Sequence, residues 1–147
     1  MKDRKDFGML TFKRTDDLDS ALEIRDIVFI QEQNVTADLE VDGLDQDAVH
    51  YIAYKNDKAV ATLRIRIVDG VAKIERVATL KDYRGQSIGR TLMQFAMDDI
   101  AKTDKISSYK LGAQTSAIPF YEKQGFKQHG DLYMDAGIEH INMIKKG

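Results

Sequence analysis

Three stretches near the middle of the chain alternate apolar and polar positions: VHYIAYK (49–55), KAVATLRIRIV (58–68) and VAKIERVAT (71–79). Successive side chains of a strand point to opposite faces, so this period of two predicts strands over Val49–Lys55, Lys58–Val68 and Val71–Thr79. Asn56-Asp57 and Asp69-Gly70 punctuate them, and the second pair is a strong signal for a two-residue hairpin. A weaker alternation over Met9–Arg14 predicts a first strand. Leu18, Leu22, Ile24, Ile27 and Val28 approximate a 3.6 period behind a capping Asp16 or Asp17, which predicts a helix. Residues 34–48 carry no period and read as a loop rich in Asp and Glu. A glycine-containing stretch after Thr79 leads into a helix from Ile88 to about Lys102. A short strand near Tyr109–Gly112, a helix around Ala117–Lys123 and strands around Phe126–Met134 and His140–Lys145 complete the chain. Strands first, then helix, strand, helix and strands, predict a mixed sheet with helices on its faces. No repeat and no Pro- or Ser-rich linker divides the chain, so residues 1–147 read as one domain.

Composition narrows the chemistry. A net charge of −2 and a pI near 5.9 give no general reason to bind nucleic acid or an anionic membrane. The absence of cysteine excludes disulfides, thiolate metal sites and cysteine nucleophiles. No apolar run approaches the roughly 18 residues needed to span a bilayer. The opening MKDRKDFG lacks the apolar centre of a signal peptide. These features predict a cytoplasmic protein. In DLEVDGLD (38–45), Asp38, Glu40, Asp42 and Gly43 partly match a calcium loop, but Val49 stands where a bidentate Glu is required and a strand follows instead of a helix. No metal site is expected. The loop reads either as an acidic rim that draws in a cationic amine or as a solvated loop.

YRGQSIGRTLMQF (83–95) carries the clearest chemistry. Gly85, Gln86, Ser87, Ile88 and Gly89 leave backbone N–H groups unencumbered where a helix begins. Such a helix start attracts anions, phosphates above all, and Arg84 and Arg90 add positive charge at both edges. A Walker loop would end in Gly-Lys-Ser/Thr, whereas Gly89 is followed by Arg90-Thr91. A dinucleotide fingerprint would follow the first strand of a βαβ unit, and none is present. The remaining pattern, Arg-x-x-Gly-x-Gly between a strand and a helix, resembles the pyrophosphate loop of the GNAT superfamily of acyl-coenzyme A N-acyltransferases. Ser87 stands where that family usually has its first glycine, a substitution costly in energy if φ is positive there. The family's following helix usually reads Asn-x-x-Ala-x-x-Phe/Leu-Tyr-x-x-x-Gly-Phe; here Gln114, Ala117, Phe120, Tyr121, Gly125 and Phe126 occupy those places, with Gln114 for Asn. FIQEQ (29–33), EVDGLD (40–45), His50, IERVAT (74–79) and GIEHINM (137–143) further resemble a small bacterial YjcF/ElaA-like group.

The resemblance implies a mixed, mostly antiparallel α/β (α+β) sheet of about six or seven strands flanked by helices, with a splayed fourth strand forming a cofactor cleft. It implies acetyl-CoA (coenzyme A) as acyl donor and a small amine or peptide as acceptor, and it allows a homodimer. On the cofactor side it implies Val77, Ala78 and Thr79, whose N–H groups would face the thioester, the loop residues Arg84, Gly85, Gln86, Ser87, Ile88, Gly89 and Arg90, and also Gln114, Phe120 and Tyr121. Tyr121 matches the family's usual general acid, and Glu75 the strand position from which several relatives take a base. Glu32, Asp42, His50, Arg64, Arg76 and His140 are acceptor-side candidates; the two histidines and the Arg64/Arg66 pair also have ordinary structural readings. For Glu75, the register argues otherwise. If Asp69-Gly70 closes a two-residue turn, Val68 pairs with Val71 and Arg64 stands opposite Glu75. Cross-strand partners share a face, and an arginine there would make Glu75 a poor base and a good ion-pair partner. A bulge in the strand would break that register. The rival to an acetyltransferase is a non-catalytic acyl-CoA-binding domain that kept the cleft and lost turnover.

Overall fold

The computed structural model describes residues 9–147; the charged opening segment read above lies outside them. Seven strands form one sheet in the order β1-β2-β3-β4-β5-β7-β6. They are β1 (Leu10–Thr15), β2 (Val49–Lys55), β3 (Lys58–Val68), β4 (Val71–Thr79), β5 (Ser108–Gln114), β6 (Lys127–Asp135) and β7 (Ile138–Lys146). All neighbours are antiparallel except β4 and β5. The predicted bounds of β2, β3 and β4 hold to the residue. Their turns explain why: Asn56 and Asp57 (φ 51° and 70°) and Asp69 and Gly70 (φ 52° and 80°) are left-handed, which matches the twist of the strands they join. Ala136 and Gly137 (φ 52° and 76°) close the β6–β7 hairpin in the same way. Alanine is an uncommon left-handed residue, so the alternation ends β6 one residue early and starts β7 two residues late.

Helix α1 (Leu18–Arg25) is capped by Asp17, whose carboxylate accepts from the Ser20 N–H at 3.1 Å. It continues as a π-helical segment, Asp26–Glu32; such segments are often found at functional sites. The stretch read as loop contains a short helix, α2 (Ala37–Glu40), and a 3₁₀ turn, Asp45–Asp47. Helix α3 (Ile88–Thr103) buries Ile88, Leu92, Met93, Ala96, Met97 and Ile100 on one face, the spacing of an amphipathic helix. They pack with Leu63, Ile65, Ala72 and Ile74 of the sheet into the main core. Helix α4 (Ile118–Glu122) adds Tyr121 to that core. Ile24 and Val28 pack with Ala78 in a smaller, separate cluster.

The feature that makes a site is the break between β4 and β5. Their parallel ladder holds three pairs, Val71↔Ser108, Ala72↔Tyr109 and Lys73↔Lys110, and then stops. The cause lies in β4. Between the pairs Arg64↔Glu75 and Thr62↔Ala78, β3 advances two residues and β4 three. Within that stretch Arg76 has φ 56°. A bulge of this kind bends its strand and increases the twist, so the second half of β4 leaves β5. Sequence reasoning set the Arg64–Glu75 register against a bulge. Both are present, because the bulge begins one residue past Glu75.

Candidate active site

The gap between β4 and β5 is the floor of a cleft of about 900 Å³. Residues 73–79 of β4 line one wall, Lys110–Gly112 and Gln114 of β5 the other, and the start of α3 and the Phe120-Tyr121 pair of α4 close one end. Phe29 and Gln33, at the end of the π-helical segment, and Tyr133, His140 and Asn142 of the β6–β7 hairpin line it as well.

At the α3 end the loop has the conformation its glycines suggest. Gly85 has φ +77° and Ser87 is left-handed at φ 64°, ψ 13°. Ser87 therefore bears the strain expected of a side chain in a glycine conformation, about 1–2 kcal/mol. No side chain caps α3, so the N–H groups of its first turn remain available to an anion. Gly89 has an ordinary φ, but a Cβ there would stand 3.2 Å from Thr79 Oγ1 and 3.6 Å from Phe120 Cζ. Its place depends on close approach rather than on backbone freedom. Arg84 donates to the Thr79 carbonyl (2.9 Å) and to Glu32 (2.7 Å). Arg90 reaches the Ser87 hydroxyl at 3.4 Å. Gln86 turns away from the cleft, accepting from Lys55 at 2.9 Å.

Tyr121 is 8% exposed and lies edge-on to both Phe120 and Phe126. Its hydroxyl makes no hydrogen bond among the described residues, although it borders the cleft. Burial pushes the Tyr121 phenol up to about 12, because an apolar site disfavours the phenolate. It is a neutral donor awaiting an acceptor.

Three of the acceptor-side candidates, Asp42, Arg64 and Arg76, join Glu75 in an ion-pair network. Glu75 Oε1 accepts from Arg64 Nε (3.0 Å) and Arg66 Nε (2.7 Å), and Oε2 accepts from Arg66 Nη2 (2.9 Å). Arg64, 1% exposed, also donates to Asp42 (2.6 Å) and Asp45 (2.9 Å). Buried Arg25 bridges Asp45 (2.7 Å) and Glu40 (2.8 Å). Arg76, on the bulge, binds the Glu40 carboxylate (2.9 Å) and Asp42 (3.2 Å). Four carboxylates thus meet four guanidinium groups. Burial would raise the Glu75 carboxyl, but the Arg66 hydrogen bond and the charges of Arg64 and Arg66 outweigh it and leave it lowered. Burial acts on Asp45 in the same sense and is likewise overcome, by bonds from Arg25 and Arg64. Hydrogen bonds from Arg64 hold Asp42 far below the usual carboxylate range.

This network corrects the picture of an acidic rim: Glu40, Asp42 and Asp45 are neutralised, and they hold the 37–47 segment against β3 and the β4 bulge. Neither Asp42 nor Arg64 lines the cleft. His50, 7% exposed, holds the Asp45 carbonyl at 2.9 Å, outside the cleft. Glu32 is likewise outside, on Arg84. Arg76 and His140 do line it. His140 stacks on Tyr133, with ring centroids 5.7 Å apart and Nδ1 2.7 Å from the Ile138 carbonyl. Gln114 donates to Gln33 at 2.9 Å, so Gln33 joins the site through a partner 81 residues away. Lys73, Lys110, Tyr133 and Asn142 were also missing from the candidates. The alternation of β4 puts Lys73 on Glu75's face, which is the signal that could have found it.

The acetyltransferase (GNAT) domain model matches residues 21–146. The chain belongs to the GNAT acetyltransferase family. It is 37% identical over 134 residues to the uncharacterized N-acetyltransferase YjcF of Bacillus subtilis, covering 90% of this chain and 95% of that one. It is 33% identical over 129 residues to ElaA of Escherichia coli, covering 85% and 84%. The crystal structure of E. coli ElaA superposes with a TM-score of 0.83 over 94% of this chain and all of that one, at 29% identity. An acyl-CoA N-acyltransferase from Pseudomonas aeruginosa gives 0.80 over 94% and 99%, also at 29% identity. The splayed β4 and the loop before α3 are therefore features of a GNAT fold, as the motifs implied.

Proposed function

We propose that this GNAT domain transfers an acetyl group from acetyl-CoA to a primary amine by direct attack within a ternary complex. The observation that carries this reading is a single cleft in which an uncapped, glycine-lined helix start and the hydroxyl of a largely buried tyrosine, open to the cleft, meet at a splayed strand. The cleft fits coenzyme A on its own geometry. Gly89 leaves room for a pyrophosphate where any side chain would press on Thr79 and Phe120, and residues 84–90 would hold it with N–H groups and arginines. Acetyl-CoA, when bound, supplies an activated carbonyl and a thiolate leaving group.

The protein's own residues supply the rest. Beyond Lys73, β4 has no ladder partner on its β5 side. Successive backbone groups of a strand point to alternate sides. Ala78, paired with Thr62, turns its N–H to β3 and is corrected out of the donor set. Val77 and Thr79 offer theirs to a carbonyl oxygen gathering negative charge, a stabilisation of about 2.7–4 kcal/mol per donor where it has been measured. The amine nitrogen bonds to the acyl carbon as the carbon–sulfur bond breaks. Tyr121, which lines the cleft, would donate to the departing sulfur. With its phenol near 12 and thiols near about 8.5, complete proton transfer is roughly 5 kcal/mol uphill. Tyr121 therefore acts as a hydrogen-bond donor, and solvent supplies the proton. Glu75, bonded to two arginines, holds β3 to β4 beside the bulge, and the amine's proton leaves through water.

The test is a panel of amines assayed for thiol release from acetyl-CoA, alongside calorimetry of coenzyme A binding. Acceptor-dependent release above hydrolysis is the expected result. Tight binding with no release from any amine would identify a non-catalytic acyl-CoA-binding domain.

A further inference from the structure

The last pair of the β4–β5 ladder is Lys73↔Lys110. Both lysines are half-buried, both line the cleft, and neither has a carboxylate partner among the described residues. Arg66 stands beside Lys73 across β3, so three cations occupy consecutive strands on one face. Like charges placed directly opposite one another on a sheet repel. For Arg66 the repulsion is offset by Glu75. For the two lysines nothing on the face offsets it: Glu75 and Glu40 are held by arginines, and Asp135, at the β6–β7 turn, reaches no cation among the described residues. The same face continues past Lys110 through Gly112, where any Cβ would collide with the Tyr133 hydroxyl. That hydroxyl donates to Asn142 at 3.0 Å. Tyr133, Asn142 and the His140 ring thus form a polar surface beside the lysines.

We propose that the acceptor amine carries an oxyanion, a carboxylate or a phosphate, which Lys73 and Lys110 hold at the point where β4 and β5 part. This rests on the acyl-transfer reading of the cleft. A plain cationic amine meets two uncompensated positive charges there, whereas an anionic group relieves their repulsion and makes charge-assisted hydrogen bonds. The two lysines also favour the neutral, nucleophilic form of a nearby amine, since neighbouring positive charge disfavours the ammonium. That role needs no carboxylate base, in keeping with a Glu75 already committed to arginines.

The experiment compares matched acceptors: amino acids and phosphorylated amines, each against its decarboxylated or dephosphorylated counterpart, by thiol release. The anionic member of each pair should be preferred, and the better family tells carboxylate from phosphate. Lys73→Met and Lys110→Met should each cost about ten- to a hundredfold in kcat/KM for that member, the loss of a hydrogen bond to a charged group, with Tm unchanged or raised. Lys127→Met, on the same sheet row but outside the cleft, should change neither. In parallel, acetate and inorganic phosphate are titrated into coenzyme A-saturated protein with labelled lysines, and the Lys73 and Lys110 signals should move. Equal turnover of both members, or lysine variants that keep the preference, would overturn the oxyanion site while leaving acetyl transfer standing. Anion binding at both lysines with no thiol release from any acceptor would support the anion site and sink the acetyltransferase reading.

Discussion

Replacing Arg64 with methionine tests the network behind the cleft. The guanidinium is 1% exposed and serves Asp42, Asp45 and Glu75 at once. Removing one partner of a buried ion pair typically costs about 3–5 kcal/mol. The lower end applies, because each carboxylate keeps a second arginine: Asp42 has Arg76, Asp45 has Arg25 and Glu75 has Arg66. Over 147 residues, an unfolding entropy of about 2.1 cal/mol/K per residue gives roughly 0.3 kcal/mol/K, so a loss of about 3 kcal/mol lowers Tm by ~10 °C. The pH dependence adds a sign. All three carboxyls are lowered in the folded protein. A lowered carboxyl contributes stability that is present above its unfolded pKa, about 4, and is lost as pH falls through the folded value. The variant has already forfeited Arg64's share. Its deficit should be widest near pH 7 and shrink below about pH 4. Differential scanning fluorimetry and urea unfolding at pH 7, 5 and 3.5 measure it. A deficit under about 1 kcal/mol at pH 7, or one that widens in acid, would refute the reasoning.

Three other substitutions probe the cleft. Gly89→Val forces a branched side chain between Thr79 and Phe120, so coenzyme A affinity should fall strongly in a folded protein; unchanged calorimetry would remove the loop from the site. Ser87→Gly releases a left-handed serine and should raise stability by up to about 1 kcal/mol while coenzyme A binding persists; a loss of binding would mean that the hydroxyl itself holds the ligand. Glu75→Gln should leave the acid limb of the kcat/KM profile in place, because a carboxyl below its ordinary value is already ionised there. A limb near pH 6–7 that vanishes in the variant would make Glu75 the base.

How far the sequence could be read depended on distance along the chain. The β2–β4 meander was legible because each of its turns spans two residues and announces itself chemically. The turn into α3 was legible because a left-handed backbone at Gly85 and a close approach at Gly89 each leave a glycine in the sequence. The 34–48 segment was not. Its acidic residues find Arg25, Arg64 and Arg76 between 15 and 36 residues away, and no local pattern predicts such partners. A bulge in β4 was raised only through the resemblance and could not be placed at Arg76, because a left-handed arginine has no sequence mark; its side-chain bonds to Glu40 and Asp42 hold it. Lys73 and Lys110 became neighbours through a parallel pairing across an intervening helix, which alternation along one strand cannot reveal. Ala136-Gly137 closed a turn with a residue that rarely adopts the needed conformation.

The most direct test of the central claim compares Tyr121→Phe with the parent protein for acetyl-CoA affinity and for kcat under conditions where chemistry limits the rate. The hydroxyl has no hydrogen bond to lose among the described residues, so its removal should leave Tm and acetyl-CoA binding nearly unchanged. On the proposed role at the departing sulfur, kcat should fall on the order of ten- to a thousandfold, at and below the range seen for general acids. Equal turnover by the two proteins, with binding intact in both, would contradict the assignment of Tyr121 and with it the reading of the cleft as an acyl-transfer site built around that donor.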